Sequence, residues 1–414
     1  MSGGRAARGD LALVLTGGGA RGAYQVGVLR GLARRLPELR FPIIIGVSAG
    51  AINASFLAAH PGTLAEAAEE LCALWCRLRA EDIFRIDTVS LARHFTHWAA
   101  RLASGGMSLP EVHGLVDTRP LYATVAHASA AVDGEFIGIQ RNLERGTLKA
   151  LALTALNYST EQTVTWVQAR HFHPWSQPRH RSLPARISVE HVMASSALPL
   201  FFPAVRLGDD WYGDGGIRLS TPLAPALRLG ATRILAISPH HEPTLEEAAN
   251  RPRNTGYPPP AQILSQLMDA IFLDVLDEDV RRLESINCLL AKLPLEARGS
   301  LRQVEIRTIR PSQALGRLAT AYEPRLPASF RYLTRSLGTK ETDTSDFLSF
   351  LMFQPDYLQR LLEMGEEDAD ARLDDVRALI EGIPGPSEPP AAEESVAESI
   401  EDWADSLDPL TRDL

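Results

Sequence analysis

Residues 42–59, PIIIGVSAGAINASFLAA, join an apolar run to a glycine-flanked serine and then to a stretch of small and apolar residues. This pattern predicts a buried strand, a sharp turn and a helix. The segment GVSAG matches Gly-x-Ser-x-Gly, in which the glycines allow a strained turn that exposes the serine while strand and helix pack closely. We therefore interpret Ser48 as a nucleophile, with Gly46, Ala49 and Gly50 completing the elbow.

A second strand–turn–helix unit is predicted at residues 11–32, LALVLTGGGARGAYQVGVLRGL. Gly17, Gly19 and Gly22 satisfy Gly-x-Gly-x-x-Gly, which can hold a dinucleotide pyrophosphate or the negative charge of a transition state. A dinucleotide site needs an acidic residue about 20 residues past the glycines, at the end of the second strand. Here that strand leads into Ser48, so an oxyanion is favoured over a pyrophosphate.

A serine nucleophile requires a base, and the sequence offers two arrangements. Asp214 ends a strand-like segment, RLGDDWYGDGG, although a plain Asp-Gly hairpin turn is the alternative there. Among the 11 histidines, only His240 and His241 follow a convincing strand. A Ser-Asp-His triad that uses one of them is therefore the alternative to a pair of Ser48 and Asp214.

Four sequence blocks occur in a fixed order: TGGGARG at 16–22, GVSAG at 46–50, ASSALPLFFP at 194–203 and DGG at 214–216. Together they resemble the patatin-like phospholipases over residues 11–240. The resemblance implies an α/β protein, a three-layer α/β/α sandwich with a mainly helical C-terminal extension. It also implies a serine lipid acyl hydrolase of the phospholipase A type that works through an acyl-enzyme, with neither cofactor nor metal.

By position, the resemblance assigns Ser48 as nucleophile and Asp214 as its partner in a dyad without histidine, with Gly215 and Gly216 completing the Asp-Gly-Gly motif. The oxyanion hole then falls at Gly17, Gly18, Gly19, Ala20 and Arg21. An esterase with a triad, a dinucleotide-binding oxidoreductase that uses the glycine loop, and an inactive lipid-binding module are the alternatives.

Thr16 and Arg21 are the two polar residues of the first block, TGGGARG. Thr16 stands where the family often has aspartate, a tolerable change because backbone amides bind the oxyanion. Arg21 is expected to order the turn, to attract an anionic lipid headgroup, or to lie exposed without either function.

The charge is unevenly distributed along the chain. The 414 residues carry a net charge of −9, of which −8 lies in residues 383–414, with nine acids and one arginine. The remainder is nearly neutral, which excludes a bulk basic surface for nucleic acid. The acidic segment cannot bury enough apolar area to order itself and is expected to be a disordered tail.

Cysteine usage and hydropathy bear on location. Cys72, Cys76 and Cys288 are too few for a disulfide framework, and a reducing cytoplasm fits them. Cys72 and Cys76 are expected in a helical core, with a half metal site or redox pair as the alternative. Residues 41–65 carry no charge, but prolines and glycines interrupt them, so no membrane span or signal peptide is predicted. The expected substrate is a phospholipid or another fatty acyl ester, met at the inner face of a membrane by transient contact.

Composition divides the chain into five predicted segments. They are a disordered N-terminus (1–10), the hydrolase domain (11–240), a proline-rich linker (241–259), a mainly helical region (260–382) and the acidic tail (383–414).

Two apolar stretches are ambiguous. The segment 81–118 contains a helical pattern that could pack on the core or form a lipid-contacting lid, and its His94 and His97 lack a third metal ligand. The cluster 347–353 is expected in the core, with a homodimer or membrane contact as the alternative.

The predicted strands are 11–15, 42–46, 149–157, 162–169, 203–207 and 232–238, and the predicted helices are 22–36, 49–59, 63–79, 120–130, 188–197 and 222–229. A longer helix is predicted at 260–292, followed by a strand in RQVEIRTIRP.

Overall fold

The computed structural model describes residues 10–85, 114, 116–250, 257–272, 274–326, 331 and 346–382. Most of the predicted lid, with His94 and His97, and the whole acidic tail lie outside the described residues.

One mixed sheet forms the centre of the molecule. In the described part of the chain it has ten strands, in the order β10-β9-β1-β2-β3-β4-β6-β5, with β8 paired to β3 and β7 to β8. The strands are β1 Asp10–Leu15, β2 Ile43–Val47, β3 Ala150–Asn157, β4 Gln162–Ala169, β5 Ser176–Gln177, β6 His180–Pro184, β7 Val205–Leu207, β8 Asp210–Asp214, β9 Ala231–Ile237 and β10 Glu305–Ile309.

The sheet is mixed, with parallel and antiparallel strand pairs. Strands β10, β9, β1, β2 and β3 run parallel. Strands β4 and β8 are antiparallel to β3. The four residues 158–161 between β3 and β4 are too few for a crossover helix, so these strands form a hairpin.

Helices cover both faces of the sheet. They are α1 Gly22–Arg35, α2 Ala49–Ala59, α3 Leu64–Trp75, α4 Ala80–Ile83, α5 Arg119–Ala128, α6 Ile137–Arg145, α7 Val189–Ser195, α8 Ala224–Arg228, α9 Leu245–Ala249, α10 Pro260–Phe272, α11 Asp274–Lys292, α12 Leu315–Tyr322, α13 Asp346–Leu351, α14 Pro355–Ala371 and α15 Leu373–Glu381.

Strand β1 shows how the layers are built. Leu13 and Leu15 belong to the apolar cluster shared with α1, α2 and α14, whereas Ala12 and Val14 belong to the cluster shared with α8 and α11. Successive side chains of a strand point to opposite faces, so β1 contributes to both cores. The result is the three-layer α/β/α sandwich predicted from the sequence, with helices added by the C-terminal region.

The C-terminal region shares this framework. Strand β10 pairs with β9 and extends the sheet beyond the predicted linker. Helix α14 lies along α1 with the backbones in contact: a Cβ on Gly27 would lie 2.1 Å from the Leu362 carbonyl oxygen, and one on Gly365 would lie 2.4 Å from that of Tyr24. Only glycine permits this approach, so α14 is fixed directly on α1.

Most predicted elements agree with the structure to within a few residues. Strand β1 begins at Asp10, one residue earlier than predicted, and the predicted helix 260–292 is two helices, α10 and α11. All seven residues 347–353 are buried, which confirms core packing for this cluster. Cys72 is buried in α3, as expected. No helix in the described ranges is both long and apolar enough to cross a bilayer.

Candidate active site

Ser48 occupies a strained turn between β2 and α2. Its backbone has φ 55° and ψ −129°, a conformation that costs a non-glycine residue about 1–3 kcal/mol. A Cβ on Gly46 would lie 2.6 Å from the Gly50 carbonyl oxygen, and one on Gly50 would lie 2.2 Å from that of Leu15. Both glycines are therefore needed for strand, turn and helix to pack this closely, as the Gly-x-Ser-x-Gly pattern predicts.

Two hydroxyl groups from the end of α7 hold the Ser48 backbone. The Ser48 amide donates to Ser195 Oγ at 3.1 Å, and Ser195 Oγ donates to the Thr154 carbonyl oxygen at 2.6 Å. Ser196 Oγ donates to the Ser48 carbonyl oxygen at 2.9 Å. These contacts tie the turn to β3. Both serines lie in the block ASSALPLFFP, but no sequence pattern indicated this function for them.

Asp214 ends β8 and is fully buried, with 0% exposure. Its Oδ1 accepts a 2.8 Å hydrogen bond from the Gly216 amide, while Oδ2 is buried without a hydrogen-bond partner among the described residues. Burial raises the pKa of Asp214 to about 7, and the adjacent Ser48 side chain and Gly216 amide lower it in part. The structure thus brings Asp214 beside Ser48 as a desolvated carboxyl group.

The glycine turn lies against Ser48. A Cβ on Gly17 would lie 3.0 Å from Ser48 Cβ. Within the described part of the chain, the amides of Gly18 and Gly19 donate no hydrogen bond, whereas the Arg21 amide donates to the Gly18 carbonyl oxygen at 3.1 Å. Gly18 and Gly19 therefore offer free donors near the serine, and the Arg21 amide does not.

Buried amide side chains support the turn from below. Gln25 Nε2 donates to the Thr16 carbonyl oxygen at 2.8 Å, and Asn53 Nδ2 donates to Gln25 Oε1 at 3.0 Å and to the Gly22 carbonyl oxygen at 3.1 Å. Trp75 Nε1 donates to Asn53 Oδ1 at 2.9 Å. This network joins the turn to α2 and α3. No sequence motif indicated it.

Arg21 corrects two of the three expectations made for it. Its side chain is 1% exposed, so it is neither a free surface arginine nor available to a lipid headgroup. Instead, its guanidinium reaches α13, where it pairs with Asp346 and donates to Ser349 Oγ at 2.5 Å. The remaining expectation is that Arg21 orders the turn.

An apolar cavity of about 920 Å³, counting the part open to solvent, extends from Ser48. Its wall includes Phe272, Phe350, Leu351 and Phe353 from the C-terminal region. The other lining residues are Gly19, Ala49, Ile52, Phe56, Leu71, Leu74, Trp75, Leu78, Ile83, Leu121, Thr124, Val125, Ala128, Ser129, Ser196, Leu198 and Phe202. Such a lining can hold an aliphatic chain with its polar end at the serine.

The two histidines of the alternative triad bind other partners. His240 Nδ1 lies 3.2 Å from Asp277 Oδ2. His241 Nδ1 lies 2.9 Å from the Pro311 carbonyl oxygen, and its Nε2 lies 3.2 Å from Glu247 Oε2. The structure therefore joins neither histidine to Ser48 or Asp214.

The sequence model of the patatin-like phospholipases matches residues 13–227, about half of the chain. No curated protein sequence matches. Among solved structures, VipD from Legionella pneumophila is 14% identical, with coverage of 88% of this chain and 67% of VipD and a TM-score of 0.36. The human GIVD cytosolic phospholipase A2 in complex with methyl gamma-linolenyl fluorophosphonate is 14% identical, with coverage of 90% and 59% and a TM-score of 0.41. The match to the family model, which spans both Ser48 and Asp214, shows that this chain belongs to the patatin-like phospholipases, a family of lipid ester hydrolases.

Proposed function

We propose that this protein cleaves fatty acyl esters of phospholipids, as a phospholipase A-type hydrolase with a Ser48–Asp214 dyad. The observation that carries the proposal is the desolvated Asp214 carboxyl group beside the strained Ser48, which lines an apolar cavity. A carboxylate with an ordinary pKa is a weak base. Desolvation makes it a better proton acceptor near neutral pH.

The proposed reaction has two halves. Asp214 accepts the Ser48 proton while Oγ attacks the ester carbonyl carbon, and the Gly18 and Gly19 amides stabilise the tetrahedral oxyanion. The protonated Asp214 then gives its proton to the leaving alcohol as the acyl-enzyme forms. Water, deprotonated by the same carboxylate, attacks the acyl-enzyme and releases the fatty acid, and Ser48 recovers its proton.

The contacts of the glycine turn disfavour the dinucleotide alternative. A Cβ on Gly18 would lie 2.7 Å from Pro239 Cγ, and one on Gly19 would lie 2.3 Å from the Phe350 carbonyl oxygen. A Cβ on Gly22 would lie 2.8 Å from the Trp75 ring. These three positions are glycines because the protein's own backbone and side chains occupy the space beside them.

A protein that cleaves phospholipids must reach a membrane surface. We propose that it meets a membrane surface transiently, from a reducing cytoplasm to which its few cysteines are suited.

A fluorophosphonate probe tests the nucleophile directly. Intact protein should be labelled at Ser48, identified by mass spectrometry of the modified peptide, and Ser48→Ala should remain unlabelled. The control is Ser55→Ala, which removes a buried serine hydroxyl from α2. Folded protein that resists the probe, and that NAD stabilises against heat, would favour the oxidoreductase alternative.

A double variant separates the dyad from the triad. Because His240 and His241 contact Asp277, Pro311 and Glu247 rather than the dyad, the variant His240→Ala/His241→Ala should retain turnover close to that of the parent. Initial rates on a fatty acyl ester, with circular dichroism to verify folding, provide the measurement. A loss of several hundredfold in a folded variant would favour the triad.

A further inference from the structure

The Arg21 side chain connects the glycine turn to a segment more than 300 residues away. Its Nη2 pairs with Asp346 Oδ1 and also donates to the Asp346 carbonyl oxygen at 3.2 Å. Its Nε donates to Ser349 Oγ at 2.5 Å, and Ser349 Oγ in turn donates to the Asp346 carbonyl oxygen at 2.7 Å. Its Nη1 lies 3.5 Å from the Pro239 carbonyl oxygen, just after β9. All three guanidinium nitrogens are thus engaged away from solvent.

The same segment also packs on the turn itself. The Arg21 guanidinium carbon lies 4.7 Å from the centre of the Phe350 ring. Gly19, with φ 57°, sits under the backbone of Phe350, so close that a Cβ would lie 2.3 Å from the Phe350 carbonyl oxygen. Helix α13 therefore restrains the turn twice, through the Arg21 side chain and through direct contact with Gly19.

We propose that Asp346 and Ser349 act through Arg21 as positioning residues for the oxyanion hole, so that α13 is a working part of the catalytic centre. Both residues lie far beyond residue 227, where the family match ends. The proposal rests on the proposed function, because it assigns a purpose to the turn that only acyl transfer requires.

An arginine suits a residue that holds the glycine turn in a fixed geometry better than a lysine would. A planar guanidinium can donate in several fixed directions at once, whereas a lysine ammonium is a single point of charge on a flexible stem. The Arg21 side chain is 1% exposed, whereas that of Asp346 is 28% exposed. Because the Arg21 charge loses its hydration, the ion pair adds little net stability. The contact is therefore better explained by the geometry it imposes on Gly18 and Gly19, whose amides must point at the developing oxyanion.

The test compares Asp346→Asn and Ser349→Ala with a matched control. Glu366→Gln removes the ion pairs of Glu366 with Arg30 and Arg34, which also join α1 to the C-terminal region, without touching the turn. We expect Asp346→Asn and Ser349→Ala to lower kcat by about 10- to 100-fold with KM little changed, since a lost oxyanion donor costs about 10²–10³ in kcat. Glu366→Gln should keep the parental kcat. Fluorophosphonate labelling at Ser48 should slow in parallel with kcat.

Thermal unfolding of each variant distinguishes positioning from a general loss of stability. If kcat falls in all three variants in proportion to Tm, or if Ser349→Ala and Asp346→Asn keep kcat within about twofold of the parent, the proposal is wrong. We also expect the kcat of Arg21→Lys to lie between that of the parent and that of Arg21→Met. Failure of the proposed function has a different signature, namely parental protein that neither hydrolyses esters nor reacts with the probe.

Discussion

Ser48→Ala, Asp214→Asn and the double variant should each lose ester hydrolysis by about a thousandfold or more, and the double loss should hardly exceed the single ones. The two residues act as one unit, so removal of either leaves the other without a function, and the losses do not add. Initial rates on a fatty acyl ester under saturating conditions provide the measurement. Folding should persist, because Ser48→Ala removes one hydroxyl and Asp214→Asn keeps the side-chain shape.

Asp209→Asn is the matched control for Asp214. It makes the same chemical change at an exposed position in the turn that precedes β8, and it should leave the rate unchanged. If Asp214→Asn keeps activity within about tenfold of the parent, the barrier has changed by only ~1.4 kcal/mol. That result would contradict the dyad assignment.

Asp214→Asn should also stabilise the fold at pH 8. Burial raises the pKa of Asp214 from its ordinary value of 3.8 to about 7, so the folded protein holds a proton that the unfolded chain releases between these values. Stability is therefore lost as pH rises from about 4 to 7 and then stays level. The neutral amide carries no such penalty. Over about three pKa units, the gain in unfolding free energy at pH 8 should be on the order of 4 kcal/mol.

Urea unfolding of parent, Asp214→Asn and Asp209→Asn at pH 8 and pH 4.5 measures this gain. The difference between Asp214→Asn and the parent should be large at pH 8 and mostly absent at pH 4.5, and Asp209→Asn should match the parent at both. A gain that is equal at the two pH values would show that packing, rather than charge, causes it.

The candidate active site could be predicted where its signals are local. Ser48 lies between an apolar strand and a small-residue helix, and a strained elbow requires glycine on either side, so five consecutive residues carry the information. Asp214 needed the resemblance, because Asp-Gly also specifies an ordinary hairpin turn. The resemblance, carried by four blocks in a fixed order, assigned Asp214 as the partner of Ser48.

The parts that the sequence did not reveal depend on contacts between distant segments. For Arg21 the sequence left three alternatives open, because only the contact with α13 shows that the side chain is buried. The apolar pattern of residues 347–353 likewise indicates burial but not the segment against which these residues pack. Phe350 lines the cavity beside Ser48 although no periodicity links the two positions. Local propensity and hydrophobic pattern show that a segment is buried. They do not show which of several apolar segments packs against the active site.

The span between Arg21 and its partners has a consequence for synthesis in the cell. Asp346 follows Arg21 by 325 residues, so at about 5–20 residues per second the ribosome needs roughly 16–65 s to supply it. During that interval the nascent chain already contains Ser48 and then Asp214, but it lacks the helix that covers the glycine turn. On the proposed role of α13, a nascent chain that lacks this helix would be a poor lipase, and nearby membranes would be spared from hydrolysis until α13 has been synthesised and packed on the turn.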